Sequence, residues 1–257
     1  MNNFKSLKKP LLSQEVELAI KKAILSGTFK AGEKLPSERE LVEQFQVSRV
    51  TIREAFRNLQ SSGLITIKRG VNAGAYVAEP NSDAITKSFQ NLIHMGRIDY
   101  SHLIDARLYI EPQAAQEAAK YRSEVELARL HDLLDTAEEM IGRSRKRARL
   151  INVSFHCEVA KITKNPIILF ITESITQSYS ALIIDRTQTR LSRKDIQKFI
   201  DEHRSILDSI SKKNSVDAYE KTRLHLLETY LTYARVAPNE CDPGREGRIK
   251  HQCNLLA

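Results

Sequence analysis

Apolar residues recur at three- and four-residue spacing near the start of the chain. Val16, Ala19, Ile20, Ala23 and Ile24 put a stripe along a helix from Leu12 to Ser26, which Gly27 ends. A turn-rich connector with Gly32 follows. Ser37 and Glu40 then form a capping box that opens a short helix through Leu41, Val42 and Phe45. Gln46-Val47 makes a tight turn, and Ser48 caps a third helix running to about Ser62, with Ile52, Ala55, Phe56 and Leu59 as its packing stripe. The period then changes. Leu64 to Ile67 and Ala75 to Val77 read as two short strands joined by an extended tip, Lys68-Arg69-Gly70-Val71-Asn72-Ala73-Gly74. Three helices followed by a two-stranded ribbon predict a winged helix-turn-helix.

Glu79 to Ser82 reads as a linker, and beyond it the helical period continues to about Arg235. Helices are expected near 83–95, 99–121, 124–141, 146–163, 166–185, 193–211 and 215–234. Ser123 with Glu126, and Pro166 after Asn165, supply start signals. The fold class is therefore mainly α, an N-terminal winged helix-turn-helix followed by an antiparallel all-α bundle. The expected organisation is a winged helix-turn-helix domain at 1–79, a linker and first connecting helix at 80–98, an all-helical domain at 99–235, and an irregular tail at 236–257. The tail carries Pro238, Pro243, Gly244 and Gly247 without periodicity.

Composition narrows the function. The 257 residues carry 40 Lys/Arg against 32 Asp/Glu, a formal charge of +8. Residues 1–80 hold 13 basic and 8 acidic residues, and residues 81–257 hold 27 and 24, so the excess is concentrated in the first third. Such a balance favours a polyanionic partner. The longest apolar stretch, Ile167 to Ile171, is far short of a membrane span, so no membrane association is expected. Cys157, Cys241 and Cys253 form no CxxC pair or disulfide framework, and no secretory signal is read at the start, which points to the cytoplasm.

A recognition helix must pack one face and present its N-terminal residues to base edges and phosphates. Arg49, Arg53 and Arg57 recur every four residues on the face away from the packing stripe, and arginine suits bidentate contact with guanine or phosphate. Ser48, Thr51 and the free amides of the first turn suit a phosphate oxygen. Arg39 lies on the preceding helix, and Lys68, Arg69 and Gly70 sit where a wing tip meets the minor groove. A solvated charge stripe is the commoner fate of such arginines, but the tight helix pair, the stripe and the basic ribbon coincide here.

These residues carry a resemblance. Leu35-Pro36-Ser37-Glu38-Arg39-Glu40-Leu41, Val47 through Ala55, Leu59 through Ile65, and Arg69-Gly70 closely resemble the N-terminal domain of the GntR superfamily of bacterial transcription regulators. The likeness covers roughly residues 13–78. It implies that Arg39, Ser48, Arg49, Thr51, Arg53 and Gly70 contact double-stranded operator DNA.

The second part holds less obvious chemistry. Asn152 and His156, four residues apart, share a helix face. His203 interrupts the apolar stripe of Ile196, Phe199, Ile200, Ile206, Leu207 and Ile210, and His225 shares a face with the small residues Ala218, Thr222 and Thr229. A buried imidazole needs a partner on each nitrogen. Backbone and water meet that need in most proteins, and on the residues alone that reading is preferred, although a divalent ion would meet it too and spacing does not show whether the three rings converge. Arg107 and Glu111 form an i, i+4 pair, read either as an ion pair that fixes packing or as part of a ligand site. The five cations between Arg143 and Arg149 read as a solvated helix entrance, and Cys157 as packing.

Residues 99–234 are similar to the all-helical FCD effector domain of the FadR subfamily, through Arg107-Leu108-Tyr109-Ile110-Glu111, Phe155-His156, Asn165-Pro166, Glu202 through Leu207, and His225-Leu226. The resemblance implies a divalent metal, zinc or nickel, held by Asn152, His156, His203 and His225. It implies a small organic or sugar acid as effector, with Arg107 on its carboxylate. The expected protein is a homodimeric, effector-responsive transcription regulator and not an enzyme. A metal-free acyl-CoA sensor, or a metal-dependent enzyme fused to a DNA-binding domain, are the alternatives.

Overall fold

The computed structural model describes residues 11–181 and 191–236. In chain order the elements are α1 (Leu12–Leu25), α2 (Glu38–Phe45), α3 (Arg49–Ser61), β1 (Ile65–Lys68), β2 (Gly74–Val77), α4 (Asp83–His94), α5 (Tyr100–Tyr121), α6 (Glu124–Arg143), α7 (Arg145–Ile162), α8 (Pro166–Tyr179), α9 (Arg193–Ser211) and α10 (Ser215–Val236). The expected mainly α fold, with a β-hairpin wing ahead of an all-α bundle, is observed. Contacts divide the chain into two units between Ala84 and Ile85, inside α4. None of the described helices is long and apolar enough to cross a membrane.

In the first unit the apolar stripes of α1 and α3 close on each other. Val16 and Ile20 meet Leu41, Ile52, Ala55, Phe56 and Leu59, and Ile65, Ala75 and Val77 of the hairpin seal the end. The Ser37 capping box is present in full, and Gln46 takes a left-handed φ of 53° to bring α3 sharply round. Gly63, at φ 75°, turns the chain from α3 into β1, a conformation that disfavours a side chain. The two strands pair antiparallel in the register Ile65↔Val77 to Lys68↔Gly74. The connector before α2 adds a further rung, the Leu35 amide donating to the Ala75 carbonyl at 2.9 Å. β2 is thereby paired on both sides, with β1 and with the connector, while residues 69–73 at the tip stay exposed.

The second unit is all helix. One apolar cluster gathers Tyr100, Leu103, Ile104, Tyr179, Phe199, Leu226, Tyr230 and Tyr233. Another gathers Leu127, Leu130, Leu134, Phe155, Ile206, Leu207 and Ile210. Phe155 from one and Phe199 from the other flank the histidines described below. Ser123 and Asn165 cap α6 and α8 as their sequence signals require. Ser144 carries a signal missed in the sequence: it ends α6 and caps α7, so these two long helices are joined by one residue. The helix expected over 166–185 is observed as α8, and residues 182–185 lie outside those described. α10 continues through Val236, one residue into the expected tail, and 237–257 likewise lie outside the description.

Candidate nucleic-acid interface and candidate metal centre

The first turn of α3 is built by Ser48, whose Oγ accepts from the Thr51 amide at 3.2 Å and lies 2.8 Å from the Thr51 hydroxyl. Packing of Ile52, Ala55, Phe56 and Leu59 forces the opposite face of α3 outward. The side chains of Arg39, Arg49 and Arg53 are 90%, 75% and 59% exposed, so all three guanidinium groups are open to a large ligand. Glu38 was not singled out in the sequence, yet its carboxylate accepts from Arg49 Nε at 2.8 Å and lies 3.9 Å from Arg53 Nε. It holds the two arginines side by side while their terminal nitrogens stay free of it. On the wing, Lys68, Arg69 and Gly70 are exposed, and Gly70 has a φ of 88°. Lys68 Nζ stands 4.3 Å from the centre of the Tyr76 ring and Lys34 Nζ 5.8 Å from it, so the connector adds a cation to the wing.

The second site lies among four helices. α7 brings Asn152 and His156, α9 brings Glu202 and His203, α10 brings His225, and α5 brings Arg107 and Glu111. His203 Nε2 is 3.0 Å from His156 Nε2 and 2.9 Å from His225 Nε2, and all three rings are at most 4% exposed. The opposite ring nitrogens are each occupied. His156 Nδ1 is 2.8 Å from Glu111 Oε2, His225 Nδ1 is 2.6 Å from Glu202 Oε2, and His203 Nδ1 is 2.8 Å from Asn152 Oδ1. These partners are acceptors, so each Nδ1 carries the ring proton and each Nε2 presents a lone pair. The His203 lone pair then faces those of His156 and His225 at hydrogen-bond distance with no proton between them, and one ring nitrogen from each of the three lies within 4.8 Å of those of the other two. That arrangement is repulsive until a cation sits among them, and three imidazoles with a further position open are a donor set that zinc accepts.

Asn152, expected as a fourth ligand, meets the site differently. Its amide oxygen lies 2.8 Å from Nδ1 of His203 and orients that ring, and the residue lines the same cavity as the three imidazoles. Arg107 is 1% exposed and is bound in bidentate fashion by Glu111, with Nε to Oε1 at 2.7 Å and Nη2 to Oε2 at 3.1 Å. Arg149 corrects another expectation. The basic run starts exposed at Arg143, but the helix turns Arg149 into the core, where its Nη2 donates to the Tyr233 hydroxyl at 3.0 Å.

Burial and the neighbouring Arg107 push His156 down to about 4, against the opposing pull of Glu111. Burial also carries His203 well below the ordinary histidine range, helped by the two other imidazoles. Both rings are therefore neutral at pH 7. Burial acts to raise Glu111, but Arg107 and His156 outweigh it and hold the carboxyl at about 2. Cys157 is raised to about 11, chiefly by burial, which keeps its thiol protonated and fits a packing role. The cavity at the three histidines, partly open to solvent, is about 20 Å³ and is bounded by the imidazoles, Arg107, Arg149, Thr229 and Tyr233. It has room for one ion or water. Thr229 Oγ1 is buried there without a hydrogen-bond partner among the described residues.

The first unit displays an arginine-bearing helix beside a basic wing, and the second is an all-helical bundle with a small cavity at its histidines. Comparison with known proteins is specific. The profile of bacterial regulatory proteins of the gntR family matches residues 12–77, and that of the FCD domain matches residues 102–228. The chain belongs to the GntR superfamily and, through its FCD domain, to the FadR-like subfamily.

Among its relatives is the HTH-type transcriptional repressor NanR of Cronobacter sakazakii, 30% identical over 227 residues that cover 86% of this chain and 85% of that protein. The Uxu operon regulator of Haemophilus influenzae is 28% identical over 232 residues, 90% of this chain and 84% of its own. The HTH-type transcriptional regulator LutR of Bacillus subtilis is 29% identical over 210 residues, 79% of this chain and 92% of LutR. A solved structure of a GntR protein from Streptococcus agalactiae superposes with a TM-score of 0.61 at 25% identity, covering 85% of this chain and 98% of the other. These relatives regulate transcription, in keeping with the non-catalytic reading.

Proposed function

We propose that the protein is a homodimeric regulator whose grip on operator DNA is set by a small carboxylate bound beside a divalent ion in the helical domain. Arg39, Ser48, Arg49, Thr51 and Arg53 engage the major groove and its phosphates, and Lys68, Arg69 and Gly70 engage the adjacent minor groove. Two-fold symmetry of the dimer calls for a palindromic operator. His156, His203 and His225 hold the ion, zinc or nickel. Bound there, it supplies a Lewis-acidic position for one carboxylate oxygen. Arg107 and Arg149 line the same cavity and favour an anion over a neutral analogue.

The observation that carries this reading is the convergence of three Nε2 lone pairs whose Nδ1 atoms are already engaged. A space of about 20 Å³ takes one ion or water, so an organic acid that binds there displaces some of the side chains lining it and opens the cavity further. An effector that favours the opened state over the closed one thereby shifts the equilibrium on which DNA binding depends. Against the metalloenzyme alternative, the two carboxylates nearest the imidazoles among the described residues, Glu111 and Glu202, are both engaged by ring nitrogens. The acyl-CoA alternative finds no support in a cavity lined by three imidazoles.

The test is elemental analysis of gently purified protein, followed by a melting-temperature screen of organic and sugar acids with and without zinc. One metal per chain and a metal-dependent rise with particular acids is the expected result. Metal-free protein that fails to take up zinc or nickel would sink the proposal.

A further inference from the structure

Arg107 and the nearest imidazole share one carboxylate. Glu111 Oε2 lies 2.8 Å from His156 Nδ1 and accepts from Arg107 Nη2 at 3.1 Å, while Oε1 accepts from Arg107 Nε at 2.7 Å. Arg107 is fixed in turn, with its guanidinium carbon 5.1 Å from the centre of the Tyr179 ring. The i, i+4 spacing on α5 makes the ion pair, and the crossing of α5 with α7 delivers it to His156.

We infer that Arg107 and Glu111 are positioning residues for the metal centre, a relay that sets how strongly His156 donates to the ion. The inference rests on the metal reading above. A carboxylate on Nδ1 orients an imidazole and enriches the lone pair on Nε2. Arg107 locks the carboxylate in charge and rotamer, because two parallel bonds leave it one orientation. Glu202 does the equivalent for His225 with a looser anchor. Its cation is Lys198, 3.5 Å away, with a side chain 54% exposed. The two relays therefore differ: the one through Glu111 is sealed in the core, and the one through Glu202 borders solvent.

The relay assigns Arg107 a role toward the ion even with no effector present. That is measurable by zinc titration in competition with a chromophoric chelator, with cobalt(II) absorption as a second readout. Arg107→Met combined with Glu111→Gln removes both charges together and leaves no lone buried ion. Glu111→Asp keeps a charge for Arg107 but draws it back from His156. His203→Ala serves as the ligand control.

The expected result is one zinc per wild-type chain and none in His203→Ala. The paired variant and Glu111→Asp should keep the stoichiometry with affinity about 10- to 100-fold weaker. Near-UV circular dichroism of the metal-free variants should match wild type, which separates positioning from loss of fold. If the paired variant does not fold, Glu111→Asp decides alone. Wild-type affinity in the folded variants overturns the relay and leaves the metal reading standing. Failure of the wild-type chain to bind zinc removes both.

Discussion

Acid should weaken the metal-free effector unit well before its carboxylates titrate. His156 is depressed from the ordinary 6.5 to about 4 by burial and Arg107, and His203 is depressed in the same direction. Between those pH values the unfolded chain binds protons that the native unit refuses, so stability rises with pH there and falls as pH drops below 6.5. At pH 5 the lag is about 1.5 pH units for His156, or about 2 kcal/mol, growing to about 3 kcal/mol below pH 4. His203 adds a loss of the same sign. Against a total of about 5–15 kcal/mol for a domain, this is a large fraction.

Glu111 acts in a separate window. Its folded value of about 2 lies below the ordinary 4.5, so its contribution persists above 4.5 and is lost between there and pH 2. The assay is urea unfolding of metal-stripped protein at pH 7.5, 6 and 5. The chain has no Trp, and Tyr100, Tyr179, Tyr230 and Tyr233 cluster in the helical unit, so near-UV circular dichroism reads that unit. A urea midpoint that stays constant from pH 7.5 to 5 would show that the imidazoles are not held neutral, and the reasoning would fail.

Other outcomes follow from the same geometry. Arg49→Ala should weaken operator binding by roughly 1–3 kcal/mol and relax sequence preference, measured by fluorescence anisotropy on operator and random duplexes; equal losses on both would reduce Arg49 to a phosphate contact. His203→Ala should abolish metal uptake and effector response while the DNA-binding unit stays folded, and full metal stoichiometry in that variant refutes the ligand role. Leu59→Ala should destabilise the DNA-binding unit by about 2–5 kcal/mol, because its side chain is fully buried between α1, α3 and the ribbon. A denaturation midpoint within error of wild type would contradict that packing. Adding zinc at pH 7.5 should raise the midpoint of the helical unit, with the gain fading in acid as protons compete for the imidazoles.

Much of the architecture was legible because its causes are local. A stripe at three- and four-residue spacing identifies α1 and α3 wherever they end up, and the boxes at Ser37 and Ser123 mark helix starts from four consecutive residues. The outward display of Arg49 and Arg53 follows from the same periodicity, since Ile52 and Phe56 claim the inner face. The ends of elements were less legible. The helix expected to stop at 141, before Gly142, continues through Arg143, and Ser144 alone joins α6 to α7.

The chemistry of the helical unit divides along the same line. Sequence and resemblance named His156, His203 and His225, but the convergence of their Nε2 atoms depends on how α7, α9 and α10 cross and rotate. Glu111 lies 45 positions before His156, and no spacing rule links them. Asn152 shares a face with His156, yet its oxygen meets His203, a residue 51 positions away that no spacing rule links to it. Arg149 belongs to a basic run that looks solvated in one dimension, and only the roll of α7 turns it toward Tyr233. Periodicity acts through hydrogen bonds and side chains within a turn or two, so the chain alone determines the elements and their faces. Which faces meet is decided by the packing of whole helices, and there the structure settled what the sequence left open.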